Sequence, residues 1–137
     1  MLTDPDDTGM RTRHWGDVWN YPLMRMVAAA RAAGLTPIDG PFGDFSDAEG
    51  FKAQARRAAV MGCEGKWAIH PSQIELANEI FTPAAAQVER AQGILAAMAE
   101  AEAKGAGAVT YKGGLVDRAS VRQAEVIVAK MRQIERG

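Results

Sequence analysis

The stretch Gly65-Lys66-Trp67-Ala68-Ile69-His70-Pro71-Ser72 constrains the fold of this chain more than any other. Lys66 to His70 is too short for a helix and reads as a single strand, bounded by Gly65 before it and Pro71 after it. The chain then turns directly into Gln73-Ile74-Glu75-Leu76, which has helical character. A strand that ends in His-Pro and opens a helix sets a polar side chain and a helical first turn at the carboxyl end of a sheet. In α/β folds ligands bind at that edge.

The rest of the chain supplies one more strand and several helices. The first 13 residues are polar, contain Pro5 and Gly9, and read as a loop or frayed end. A helical pattern starts at Trp15, with Trp19, Leu23, Met26, Val27 and Ala30 on one face and Gly34 as its C-terminal cap. Leu35-Thr36-Pro37-Ile38 is a short apolar stretch with an early proline, read as a brief strand that empties into Asp39-Gly40-Pro41-Phe42-Gly43-Asp44-Phe45. Ser46-Asp47-Ala48-Glu49 has the form of a capping box. The helix behind it buries Phe51, Ala55, Ala58 and Ala59 and stops at Gly62.

After the second strand, a helix runs through Ile74, Ala77 and Phe81. Thr82-Pro83 restarts it, threonine as cap and proline in the first turn. Val88, Ala91, Leu95 and Met98 carry the next apolar face as far as Gly105. Gly107 to Tyr111 is a short extended piece, Lys112-Gly113-Gly114 a turn, and a last helix runs from near Asp117 to Ile134 with Val121, Ala124, Val128 and Met131 in one stripe.

Two strands, each followed by a helix, are βα units and imply parallel pairing. Two parallel strands cannot form a closed sheet covered on both faces, so helices with apolar stripes have too little sheet to bury against. The reading is a segment of a larger α/β sheet, or a chain that depends on partners. The helix faces left over predict poor solubility of the chain alone.

Composition narrows the function. The 137 residues are 47% hydrophobic, enough for a core, and the net charge of −1 with a pI near 6.1 makes no case for nucleic acid or an anionic membrane. No apolar run approaches the roughly 20 residues needed to span a bilayer. Met1-Leu2-Thr3-Asp4-Pro5-Asp6-Asp7 lacks the basic-then-apolar pattern of a secretory signal, and a lone Cys63 excludes an internal disulfide, so a cytoplasmic location is expected. Cys63, beside Gly62 and with no nearby histidine, reads as a small buried residue. Arg56-Arg57 reads as a solvated helix face and Trp67 as core or wall.

Several blocks share one resemblance. Asp39 to Asp47, Gly50-Phe51, Gln54 to Arg57, Gly65 to Pro71, Ala77-Asn78-Glu79-Ile80-Phe81-Thr82-Pro83 and Tyr111-Lys112-Gly113-Gly114-Leu115-Val116-Asp117 look like the C-terminal part of malyl-CoA lyase, in the group of the citrate lyase β subunit and the HpcH/HpaI aldolases. The resemblance spans residues 14 to 135. It implies an α/β fold: the last two βα units of a TIM barrel plus a C-terminal helical extension, incomplete as a closed barrel. Residues 1–13 are then a polar N-terminal segment, 14–81 the barrel portion and 82–137 the extension.

The chemistry implied is reversible cleavage of malyl-CoA or methylmalyl-CoA to acetyl-CoA or propionyl-CoA and glyoxylate. The complete family uses Mg²⁺ as Lewis acid and template. Ile69, chiefly through its backbone, and His70 look like thioester contacts; the plain alternative for His70 is a helix cap or packed polar residue. Asp117 resembles the catalytic carboxylate that the extension delivers to a neighbouring subunit of a homo-oligomer; the plain alternative is a helix N-cap. Asp39, Gly40 and Pro41 shape the pocket rim and are candidate substrate contacts. Lys112 reads as a surface charge that can reach a CoA phosphate.

The glutamate and aspartate that hold the metal in the family, and the arginine that holds the keto acid, have no counterpart here, and Gly114 stands where a basic residue is common. No metal ligand is assigned, and the isolated chain is expected to be inactive. Two other readings remain: a fragment like the citrate lyase β subunit, and a non-catalytic half-barrel serving assembly.

Overall fold

The computed structural model of the chain describes residues 3–5, 11–13 and 19–136. They form two compact units that divide between Phe81 and Thr82.

In the first unit, β1 (Thr3–Pro5) and β2 (Arg11–Arg13) pair antiparallel where the sequence suggested a loop. The expected start of the first helical pattern, at Trp15, lies outside the described residues. Helix α1 (Asn20–Ala32) closes as expected at Gly34: the Leu35 N–H donates to the Ala30 carbonyl at 2.8 Å and the Gly34 N–H to Arg31 at 3.0 Å. Of its expected buried face only Val27 is buried, while Trp19 and Met26 stand exposed.

β3 (Ile38–Asp39) and β4 (Gly65–Lys66) pair parallel, Ile38 opposite Gly65 and Asp39 opposite Lys66. Both strands are shorter than the sequence suggested. Upstream, the helix cap takes the Leu35 N–H and Pro37 has none to give. Downstream, the Trp67 N–H still reaches the Asp39 carbonyl at 3.1 Å, but Gly40-Pro41 then leave the ladder. Trp67 to His70 therefore continue as loop, and Trp67, read as core or wall, is 63% exposed.

Helix α2 (Ala48–Val60) is capped by Asp47, whose carboxylate accepts from the Gly50 N–H at 2.9 Å. The Ser46/Glu49 capping box does not form, because Asp44 Oδ1 takes both the Ser46 N–H and its hydroxyl, at 3.1 and 2.6 Å. At the other end Gly62 has φ +102°, and a Cβ there would meet Val27 Cγ1 at 3.1 Å, so both conformation and contact require glycine. Arg31 fixes this turn by donating to the Gly62 carbonyl at 2.8 Å and pairing with Glu64 at 3.0 Å. Arg57, read as solvated, instead donates to Asn20 Oδ1 at 2.6 Å and ties α2 to α1.

Helix α3 (Ser72–Phe81) completes the core. Phe42, Phe51 and Ala55 are buried against Leu76, Ala77, Ile80 and Phe81, and Val27, Ala58 and Cys63 form a second cluster. Phe42 and Phe51 meet edge-on, ring centres 6.2 Å apart. Ile74 is exposed, and the residue of α3 that is fully buried is Gln73.

In the second unit α4 (Ala85–Ala103) begins after Ala84, not at Thr82. No side chain caps the first-turn N–H groups as threonine was expected to; Gln87 Oε1 instead reaches back to accept the Ala84 N–H at 2.9 Å. β5 (Val109–Tyr111) and β6 (Gly114–Val116) form a hairpin about Lys112 (φ +45°) and Gly113 (φ +79°), the primed turn that suits strand twist. The sequence reading contained β5 but not β6. Helix α5 (Arg118–Glu135) packs on α4 through Ala91, Ala124 and Val128, with Ile94, Leu95 and Ile127 around them.

Among the described residues the architecture is α/β, mostly helical, with three two-stranded sheets and no closed one. No helix among them is long and apolar enough to cross a membrane.

Candidate functional site

The last residue of β3 and the loops that leave β3 and β4 at their carboxyl ends carry five of the six residues singled out from the sequence. At their base lies a buried ion pair: Lys66 Nζ is 2.7 Å from Asp39 Oδ2, with the lysine side chain 1% and the aspartate side chain 11% exposed. The parallel register makes the pair, because it sets Asp39 directly opposite Lys66. The remaining ammonium protons go to the Gly40 carbonyl at 2.6 Å and to Gln54 Oε1 on α2 at 2.5 Å. Such a pair is tolerable in a core only when the charge is bonded all round, and here it is.

The pair changes what Asp39 can do. Its carboxylate is buried and engaged, whereas Gly40 and Pro41 are exposed. All three, with Trp19, Leu23, Met26, Gln54 and Arg57, line a concavity of about 380 Å³.

Ile69 and His70 lie on the second loop, both exposed. The Ile69 N–H donates to Gln73 Oε1 at 2.9 Å. The His70 ring stacks on Phe45 at 4.5 Å between centres, with 17° between planes. Its Nδ1 faces the Ser72 hydroxyl at 2.8 Å and accepts the Ser72 N–H at 3.2 Å. A backbone N–H can only donate, so in the neutral ring Nδ1 carries no proton and Nε2–H is the free donor. The His70 carbonyl also accepts the Gln73 N–H at 3.0 Å, so His70 starts α3 and presents a donor at once.

Asp117 belongs to the second unit. It caps α5, with Oδ1 accepting the Ser120 N–H at 2.9 Å and its hydroxyl at 3.1 Å. These bonds, the backbone one foremost, hold its pKa below the usual aspartate value of 3.8. The carboxylate is therefore ionised at neutral pH, opposite to the rise by desolvation that an acid role calls for. Lys112 lies in the same unit, exposed, 3.5 Å from Glu89.

Cys63 is buried below β4, and desolvation, with Asp39 adding to it, pushes its thiol pKa up from 9.0. That environment suits packing, not nucleophilic chemistry. Among the described residues no group of three or more His, Cys, Asp or Glu could hold a metal ion. Asp39 is paired with Lys66 and Asp44 with Ser46, so neither loop offers a free carboxylate cage.

Sequence reasoning missed Lys66, Gln54, Gln73 and Phe45 as the residues that fix these loops. Only Lys66 gave a signal: a lysine opening an apolar strand demands a buried partner, and Asp39 stood at the end of the other strand.

The chain is 62% identical, over 116 residues, to an L-malyl-CoA/beta-methylmalyl-CoA lyase of Rhodobacter capsulatus; the match takes in 85% of this chain and 36% of that one. The sequence matches the C-terminal part of malyl-CoA lyases. It is also 38% identical over 135 residues, 98% of its length, to a malyl-CoA/beta-methylmalyl-CoA/citramalyl-CoA lyase of Chloroflexus aurantiacus, again covering 38% of the relative. The chain thus spans little more than a third of these relatives. The crystal structure of the protein CitE from Mycobacterium tuberculosis, in complex with magnesium, acetoacetate and coenzyme A, superposes with a TM-score of 0.70 at 28% identity, over 91% of this chain and 44% of that one. No protein-family model matches the chain.

Proposed function

We propose that this chain is the C-terminal portion of a malyl-CoA lyase-type carbon–carbon lyase: the last two βα units of a TIM barrel, followed by a helical extension. The complete enzyme interconverts malyl-CoA, or methylmalyl-CoA, with glyoxylate and acetyl-CoA or propionyl-CoA. The observation that carries this is 62% identity over 116 residues to the R. capsulatus lyase. The complete enzyme is cytoplasmic and a homo-oligomer in this reading.

Within that reaction the chain's own residues bind and move a proton. The loop after β4 forms a wall for the CoA thioester, with the His70 Nε2–H as a donor and the Ile69 backbone against the ligand. Gly40 and Pro41 form the rim, and Asp39 contributes by holding Lys66 and, through it, the Gly40 carbonyl. Asp117 exchanges the proton at the carbon next to the thioester carbonyl, in the active site of a neighbouring subunit. On condensation its carboxylate takes that proton from the acyl thioester, and the carbanion adds to the glyoxylate aldehyde. The alkoxide so formed takes up a proton from solvent; on cleavage the alcohol gives that proton back as the C–C bond breaks and the aldehyde forms, and protonated Asp117 returns a proton to the carbon. The lowered pKa keeps Asp117 ionised, the form a base needs, but makes it a weak base; proton transfer in either direction needs the neighbouring subunit to displace the Ser120 bonds and desolvate the group.

Mg²⁺ supplies Lewis-acid polarisation of the keto acid when bound. The described residues do not fit such an ion, so no step of this chain is routed through it.

The test is a chimera in which this chain replaces the matching third of the R. capsulatus lyase. It is expected to release glyoxylate from malyl-CoA, and Asp117→Asn in it to abolish turnover while leaving CoA binding within about threefold, since asparagine caps a helix as well as aspartate. An inactive chimera that assembles normally supports the non-catalytic half-barrel instead. Activity on a citryl thioester but not on malyl-CoA supports the citrate lyase β-subunit reading.

A further inference from the structure

We infer that Gln73 is a positioning residue that locks the loop after β3 to the loop after β4, so that the proposed rim and the proposed thioester wall act as one body. The inference rests on the lyase reading above only for what the two loops bind; the lock itself is a matter of geometry.

Gln73 has no solvent exposure, and its amide is used at both ends. Nε2 donates to the Phe42 carbonyl in the first loop at 2.9 Å, and Oε1 accepts the Ile69 N–H in the second loop at 2.9 Å. The span therefore needs a donor and an acceptor on one rigid planar group. Glutamate supplies no donor at neutral pH and would set its charge against the Phe42 carbonyl. Methionine fills the space but leaves a buried N–H and a buried C=O unpaired. Asparagine is one methylene too short.

Further links cross between the same loops. Lys66, the last residue of β4, donates to the Gly40 carbonyl of the first loop, and Phe45 of the first stacks on His70 of the second. Gln73 sits between these links. It is also the second residue of α3, and its own N–H bonds to the His70 carbonyl, so the lock is anchored to the helix start. Ile69 and His70 are not held by a sheet ladder, since β4 ends at Lys66. Their placement rests on these side chains.

The test compares hydrogen exchange in the full 137-residue chain and in its Gln73→Met and Gln73→Glu forms, alongside a CoA titration of each. Both variants are expected to speed exchange in peptides over 40–45 and 67–70 together, by about tenfold or more, while α2 keeps its protection. CoA affinity is expected to fall about tenfold in step. Faster exchange in 67–70 with 40–45 unchanged would show that the loops are not coupled and overturn the lock. Coupled loosening with unchanged CoA affinity would overturn the positioning role. If the unaltered chain binds no CoA, the lyase reading of these loops fails, while the exchange data still decide the lock. Should Gln73→Met not fold, the isosteric Gln73→Glu and the surface change Phe45→Ala carry the same exchange test, Phe45→Ala with a smaller factor.

Discussion

Lys66 and Asp39 stabilise the site only as a couple. Lys66→Met leaves the Asp39 carboxylate buried without its cation, which costs about 3–5 kcal/mol, and Asp39→Leu leaves the lysine in the same position. The double variant is expected to be more stable than either single one, giving a large coupling in a double-mutant cycle from chemical denaturation. Additive losses would mean that the pair is not the unit described. In the second unit Gly93 is decided by contact. Alanine normally stabilises a helix interior by about 1 kcal/mol relative to glycine. Here a Cβ at Gly93 would overlap the Tyr111 hydroxyl, so Gly93→Ala is expected to lower the melting temperature of that unit. Asp117 adds a pH dependence. Its folded pKa is lowered, so the stability it lends α5 is present above 3.8 and is lost as the pH falls through its folded value. Asp117→Ala should flatten that acid limb in a denaturation series between pH 2 and 5, and an unchanged limb would remove the cap from the account.

At the level of elements, the helices were legible and the strands less so. Apolar spacing with glycine at Gly34, Gly62 and Gly105 marked three helix ends that the structure keeps, because the local cap decides such ends. Helix starts were less certain: Asp44 captured Ser46, so Asp47 became the cap, and α4 starts after Ala84 and not at Thr82. The stretch Lys66 to His70 reads as a strand by composition, yet strand length is set by the partner, and β3 offers two residues. Hence Ile69 and His70 were found as candidates, but Gln73, which holds them, was not: a glutamine in a helical first turn gives no sign of burial. The hairpin argues the same way. Its turn needs positive φ at Gly113, so Gly113→Val is expected to loosen β5–β6, detectable as faster exchange at Tyr111 to Val116, with α5 retained.

On the scale of the molecule, many large apolar side chains stand exposed beside small buried cores. Tyr21, Met24, Leu35, Val60, Trp67 and Ile69 are each more than half exposed in the first unit. The two-residue parallel pair has no third strand among the described residues to cover it. Surfaces of this kind belong against further protein. The chain alone is therefore expected to self-associate, and a sharp monomeric melt with no concentration dependence would contradict that. The central claim is a division of labour: this chain brings the thioester wall and Asp117, and the metal cage and keto-acid grip come from residues it lacks. The most direct measurement is glyoxylate release from malyl-CoA by the purified 137-residue chain with added Mg²⁺. The account predicts no release above the protein-free background; sustained, magnesium-dependent release by the chain alone would contradict it.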